Sequence, residues 1–159
     1  MEINNKKYIS LFIWIILIIL SGSIIGSFTK PSIDGWYTTI NRSDLTPPNY
    51  IFPIVWTILY GMLGAAGWCI WNANNFKQIK LLKTLYIIQL ILNWSWSPIF
   101  FNYHLTGTAF VIINLMETVV SMIIYLTYAE LKLVALLMLP YLSWILFAGY
   151  LNFYIWWNN

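Results

Sequence analysis

Asn93 and Trp96 stand three residues apart, and Ser97-Pro98 follows them directly. Trp56 and Tyr60 are four apart, and Trp144, Phe147 and Ala148 repeat the same three-and-four spacing after Pro140-Tyr141. On helices, each set lies on one face. Three segments thus each offer an indole beside a polar or small neighbour. Flat aromatic walls with few polar contacts suit a large, planar, apolar ligand. Conventional catalysis finds less support. The single His104 has no nearby nucleophile with which to build a triad. Asp34 and Asp44 share a segment, but nothing in their spacing makes them a catalytic pair. One cysteine, Cys69, excludes an internal disulfide, and there is no Cys/His cluster for a metal. No catalytic residue and no metal ligand is expected.

The elements that must position these residues are membrane helices. Of 159 residues, 60% are hydrophobic and 8% charged, and mean hydropathy is +0.73. An ordinary soluble domain carries roughly 25% charged residues. The net charge of +3 comes from scattered lysines, so no basic patch exists for nucleic acid and none is expected as a partner. Ten Trp, eleven Tyr and nine Phe exceed what two interfacial belts require.

A spanning helix needs about 20 apolar residues. Five windows qualify, at about 8–28, 51–71, 84–101, 107–128 and 133–157. The expected fold is all-α: a single five-helix membrane domain over residues 1–159, with a long loop, Thr29–Tyr50, between helices 1 and 2. Lys6 and Lys7, an apolar run and Ser21-Gly22-Ser23 also fit a secretory signal, but the apolar run continues through Phe28 as a span would. Short later connections make successive helices antiparallel neighbours. Lys6, Lys7, Lys77, Lys80, Lys83 and Lys132 fall on one side, and only Lys30 and Arg42 on the other. In an inner or plasma membrane this bias places the N-terminus in the cytoplasm.

Gly22 and Gly26, and Gly61, Gly64 and Gly67, recur at spacings that allow helix backbones to approach. They serve either packing within the bundle or a dimer interface. Asn114 and Glu117 share a face of the fourth helix. Glu117 is read either as a ligand- or proton-linked group or as a neutral carboxyl hydrogen-bonded to Asn or Ser. His104 is expected in a solvated interfacial loop. Interface belting accounts for Trp14, Trp68, Trp71, Trp156 and Trp157, whereas Trp56, Trp96 and Trp144 suit a pocket wall. Pro98 and Pro140 can bend helices around a cavity.

At these residues the chain resembles the TspO/translocator protein family, also called peripheral-type benzodiazepine receptors. The matching segments are Trp36-Tyr37, Thr46-Pro47-Pro48 through Gly61, Asn93 to Phe101 and Leu139 to Asn152, in family order. The resemblance implies a five-helix bundle, commonly a homodimer, with a cavity closed by the first loop. It implies binding of porphyrins such as protoporphyrin IX and haem, as ligands and not obligatory cofactors, and of isoquinoline and benzodiazepine-type molecules, in tetrapyrrole homeostasis or stress regulation. Light-dependent porphyrin degradation and small-molecule transport are its alternatives. Carried over by motif, Tyr37, Trp56, Asn93, Trp96 and Trp144 are pocket-lining, with Pro47, Ala148 and Leu151 as contacts. Tyr60 and Phe147 join them by helical spacing. Two departures stand out. Ser43-Asp44-Leu45 replaces a common Pro-x-Trp, and the tail after Tyr150 lacks the basic residue of the family's sterol motif. Leu126 to Lys132 fits only the loose sterol pattern, so no specific cholesterol site is expected.

Overall fold

The computed structural model describes residues 5–73 and 75–159; residues 1–4 and 74, part of the expected single domain, lie outside it. The described chain is all-helical. It forms α1 (Asn5–Asp34), a short 3-10 turn (Trp36–Thr38), α2 (Ile51–Asn72), α3 (Ile79–Phe101), α4 (Thr106–Thr127) and α5 (Lys132–Asn158). Long apolar runs become helices because a helix satisfies every interior backbone group within one segment, which lipid demands.

Four helices, α1, α2, α4 and α5, are long and apolar enough to cross a membrane. The sequence reading had five. The difference is α3, whose apolar run is interrupted by Gln89, Asn93, Ser95 and Ser97. Of its polar residues, Gln89 and Asn93 are buried in the bundle, whereas Lys80 and Thr84 are exposed.

The boundary of α1 also differs from expectation. Thr29–Asp34, read as the start of the long loop, continues the helix through Pro31. An apolar run marks where lipid ends, whereas a helix ends where its backbone bonding ends. Gly35 N still donates to Pro31 O at 3.0 Å, and the Thr29 hydroxyl donates to Gly26 O at 3.1 Å. Ser32 Oγ donates to Asn102 Oδ1 at 3.1 Å, tying the end of α1 to the end of α3. The connection to α2 is therefore residues 35–50, and it contains the 3-10 turn.

The main helix contacts close a ring in the order α1–α2–α5–α4–α3–α1, with α2 and α3 also touching across it. Its core holds Leu63, Ile70, Leu82, Ile113, Val120, Met138 and Ile145, all almost fully buried. The glycines explain the α1–α2 seam. A Cβ on Gly64 would lie 2.6 Å from Ile15 Cα, and one on Gly67 would lie 2.5 Å from the Tyr86 hydroxyl and 2.8 Å from Trp14. These positions pack within the bundle. Around Gly26 there is open space. The GxxxG pair of α1 is thus split: Gly22 meets the Tyr60 ring and Gly26 meets none.

The loop lies across the end of the bundle and is pinned to α5. Asn41 N donates to Asn159 Oδ1 at 2.9 Å, and Asn159 Nδ2 donates back to Asn41 O at 3.1 Å. The Ser43 and Tyr150 hydroxyls are hydrogen-bonded at 3.1 Å. Trp36 stacks on His104 with centroids 4.1 Å apart, and His104 has φ 56°, a left-handed conformation that His tolerates better than bulkier residues do. His104 is exposed, as its loop position suggests.

Candidate functional site

Inside the ring, under this loop, lies a cavity of about 640 Å³. It falls within the roughly 300–1,000 Å³ range of small-molecule sites. Each wall follows from local sequence. The α2 wall carries Phe52, Trp56 and Tyr60 at successive four-residue steps, the α3 wall Asn93, Trp96, Ser97 and Phe100, and the α5 wall Trp144, Ala148, Leu151 and Ile155. The loop contributes Tyr37, and α1 contributes a polar face.

Eight of the ten residues singled out from sequence line this cavity: Tyr37, Trp56, Tyr60, Asn93, Trp96, Trp144, Ala148 and Leu151. Two do not. Pro47 is half-buried in the loop and is not among the lining residues, although Asn49 and Tyr50 after it are. Phe147 lies instead on an outer groove between α2 and α5, with Val55, Ile58, Met62 and Pro140. It is one residue, or about 100° of helix, from Ala148, and that turn carries it out of the ring. Trp144 lines both spaces and so forms the partition between them.

The polar contacts define what these residues can do. The Tyr60 hydroxyl donates to Asn93 Oδ1 at 2.8 Å, Asn93 Nδ2 donates to the Tyr141 hydroxyl at 2.9 Å, and that hydroxyl donates to Met116 Sδ at 3.0 Å. Asn93 is 4% exposed. Its amide is engaged across the bundle by Tyr60 and Tyr141, and the residue also lines the cavity. Trp96 Nε1 donates to Asn152 Oδ1 at 3.1 Å, and Asn152 Nδ2 donates to Thr106 O at 2.8 Å. That bond fixes the Trp96 ring, which stacks on Phe100 with centroids 5.0 Å apart. Trp144 is held edge-on by Phe52 at 5.9 Å, and Trp56 tilts over Tyr60 at 5.4 Å. The aromatic walls are thus set by other rings and by hydrogen bonds.

Tyr37 is buried under the loop with the Arg42 guanidinium 5.0 Å from its ring centroid. Burial pushes its phenol above the ordinary value, and the Arg42 charge offsets part of that rise.

Several lining residues were missed from sequence: Ser23, Gly26, Ser27, Lys30 and Asp34 of α1, and Asn152 of α5. The signal was the spacing of Ser23, Ser27, Lys30 and Asp34, which continues one helical face, but it disappears when Lys30 and Asp34 are read as loop. Every exposed lining residue comes from this face of α1 or from Asn49, Tyr50, Pro53 and Thr57. The cavity therefore opens between the C-terminal half of α1 and the start of α2, beyond the point where Gly22 meets Tyr60.

Glu117 is not at the cavity. Its carboxyl lies against Gly149 of α5, where an added Cβ would be 2.5 Å from Oε1. The adjacent Asn114 does not pair with it, since Asn114 Nδ2 donates to Phe110 O at 2.7 Å. Among the belt tryptophans, Trp68 and Trp71 lie beneath Lys7 and Lys83, at 5.7 and 5.4 Å from the ring centroids, and Trp157 is exposed. Trp14 instead packs on Trp71 at 5.0 Å in the α1–α2 seam. Among the described residues no cluster of three or more His, Cys, Asp or Glu could hold a metal.

Comparison with known proteins agrees with this architecture. The TspO/MBR family profile matches residues 14–157. The chain is 37% identical to the tryptophan-rich protein TspO of Archaeoglobus fulgidus, over 91% of this chain and 94% of that one. It is 34% identical to the tryptophan-rich protein TspO of Chlorobaculum tepidum, over 95% and 96% of the two chains. With the translocator protein of Homo sapiens it shares 32% identity over 78% of this chain and 75% of the human one. A five-helix ring closed over an aromatic cavity and a match over nearly the whole chain lead to one conclusion: the protein belongs to the TspO/MBR family.

Proposed function

We propose that this protein is an integral-membrane receptor for porphyrin-type ligands such as protoporphyrin IX and haem, acting in tetrapyrrole homeostasis or stress regulation. The observation that carries the reading is the cavity of about 640 Å³ with Trp56, Trp96 and Trp144 on three separate helices around it. Planar apolar ligands are held by aromatic faces, and such contacts add to plain burial. The rings are already fixed by Phe52, Phe100, Tyr60 and Asn152, so little ordering is required on binding. The relatives' names, tryptophan-rich protein and translocator protein, are compatible with such a role.

The test is a titration of the purified chain in detergent with protoporphyrin IX, read by quenching of indole fluorescence. Saturable quenching is expected. Trp56→Leu combined with Trp144→Leu should weaken affinity about tenfold, in line with the loss of two aromatic contacts of about 0.5–1.5 kcal/mol each. Unchanged affinity in the double variant would show that the ligand does not sit in this cavity.

A further inference from the structure

Among the described residues, the one cationic side chain that lines the cavity is Lys30, and nothing in the aromatic wall accounts for it. Lys30 belongs to a face of α1 formed by Ser23, Ser27, Lys30 and Asp34. These are i, i+4, i+7 and i+11, so they run down one side of the helix. All four are exposed and line the side on which the cavity opens toward Asn49, Pro53 and Thr57 of the facing segment. The opposite walls are Trp56, Trp96 and Trp144. The site thus has an apolar, flat interior and a cation at its mouth.

The neighbouring charges do not occupy Lys30. Asp34 is one turn further along the same helix, and among the described residues no Lys30–Asp34 ion pair forms. Arg42 sits over the Tyr37 ring and does not line the cavity. A lysine near a helix end can extend its ammonium on a long flexible stem toward water or headgroups. Here the stem starts in the cavity wall, so the ammonium can reach a carboxylate at the mouth, where a charge-assisted hydrogen bond is stronger than a neutral one.

We propose that Lys30 is the acid-recognition residue of the cavity. It holds the carboxylate of a planar amphipathic ligand whose apolar body lies against the three tryptophans. Asp34 limits the mouth to one such anion by repelling a second. This rests on the reading of the cavity as a ligand site and names the ligand's polar group.

The experiment compares protoporphyrin IX, which carries carboxylates, with its dimethyl ester, which has the same ring and no acid. Both are titrated into the full chain in detergent, as wild type, Lys30→Gln, Lys30→Arg and Asp34→Asn. Lys30→Gln should weaken binding of the acid about tenfold, as expected for loss of one charge-assisted hydrogen bond, and leave the ester unchanged. Lys30→Arg should restore the acid, and Asp34→Asn should tighten it. If Lys30→Gln leaves the acid unchanged, or weakens acid and ester alike, the assignment of Lys30 is wrong while the cavity reading stands. If neither compound saturates on the wild type, both readings fall together.

Discussion

The Tyr60 hydroxyl donates to Asn93 Oδ1 at 2.8 Å. With Asn93 Nδ2 on Tyr141 and the Tyr141 hydroxyl on Met116 Sδ, this bond begins a polar chain through α2, α3, α5 and α4. Tyr60 also contacts Gly22 of α1. The floor of the cavity is therefore tied to all five helices through one buried side-chain amide.

Asn93→Ala should destabilise the fold more than it alters ligand chemistry. It leaves the Tyr60 and Tyr141 hydroxyls without their amide partner, at a cost of about 1–3 kcal/mol for a buried group left unpaired. Thermal unfolding in detergent, followed by circular dichroism, should show a lower Tm. A wild-type Tm combined with lost ligand binding would instead make Asn93 a direct ligand contact.

The glycines of the α1–α2 seam should divide sharply. Gly64→Ala places a Cβ 2.6 Å from Ile15 Cα, against backbone. The helices must separate, at a cost of about 1–3 kcal/mol typical of overpacking. Gly26→Ala meets nothing within 4 Å and should leave Tm unchanged or raise it slightly, since Ala favours helix over Gly by roughly 1 kcal/mol. Equal effects at the two positions would contradict the packing described for the seam.

Asn159→Ala removes the reciprocal bonds to Asn41 that hold the loop over the cavity. A looser cover should speed ligand exchange without changing the walls. Stopped-flow quenching should show faster association and dissociation, by about threefold to tenfold if about 1 kcal/mol of hydrogen bonding is lost. Loss of affinity with unchanged rates of association would show that the loop contacts ligand directly.

Tyr37 gives the loop a dependence on alkaline pH. Its phenol is raised above 10.0 by burial, with Arg42 opposing. An acid whose folded value is raised keeps its proton in the folded state while the unfolded chain releases it. Its contribution is therefore fully present below about pH 10 and is lost as pH rises through the folded value. Tyr37→Phe should flatten the decline in stability above that pH. Arg42→Ala should move the Tyr37 phenolate absorbance change to still higher pH; a downward move would mean that Arg42 does not act on Tyr37 through its charge.

The sequence by itself determined the helices, the low charge, and the aromatic sets built on Trp56, Trp96 and Trp144. These depend on local runs and on spacings of three and four residues, which a helix fixes without help from neighbours. Tertiary structure decided which face of each helix points inward. In a soluble protein a polar face marks the outside, but here lipid and core are both apolar, so hydrophobic period does not separate them. Hence Phe147 and Ala148, equally apolar and adjacent, face different spaces around α5, and Gly22 and Gly26 differ in what they touch. For the same reason Asn93 could be read as buried but not as bonded to Tyr60 and Tyr141, whose hydroxyls come from other helices. Lys30 and Asp34 were visible as charges ending an apolar run. Only the backbone bonding that carries α1 past Pro31 turns them into part of a cavity wall.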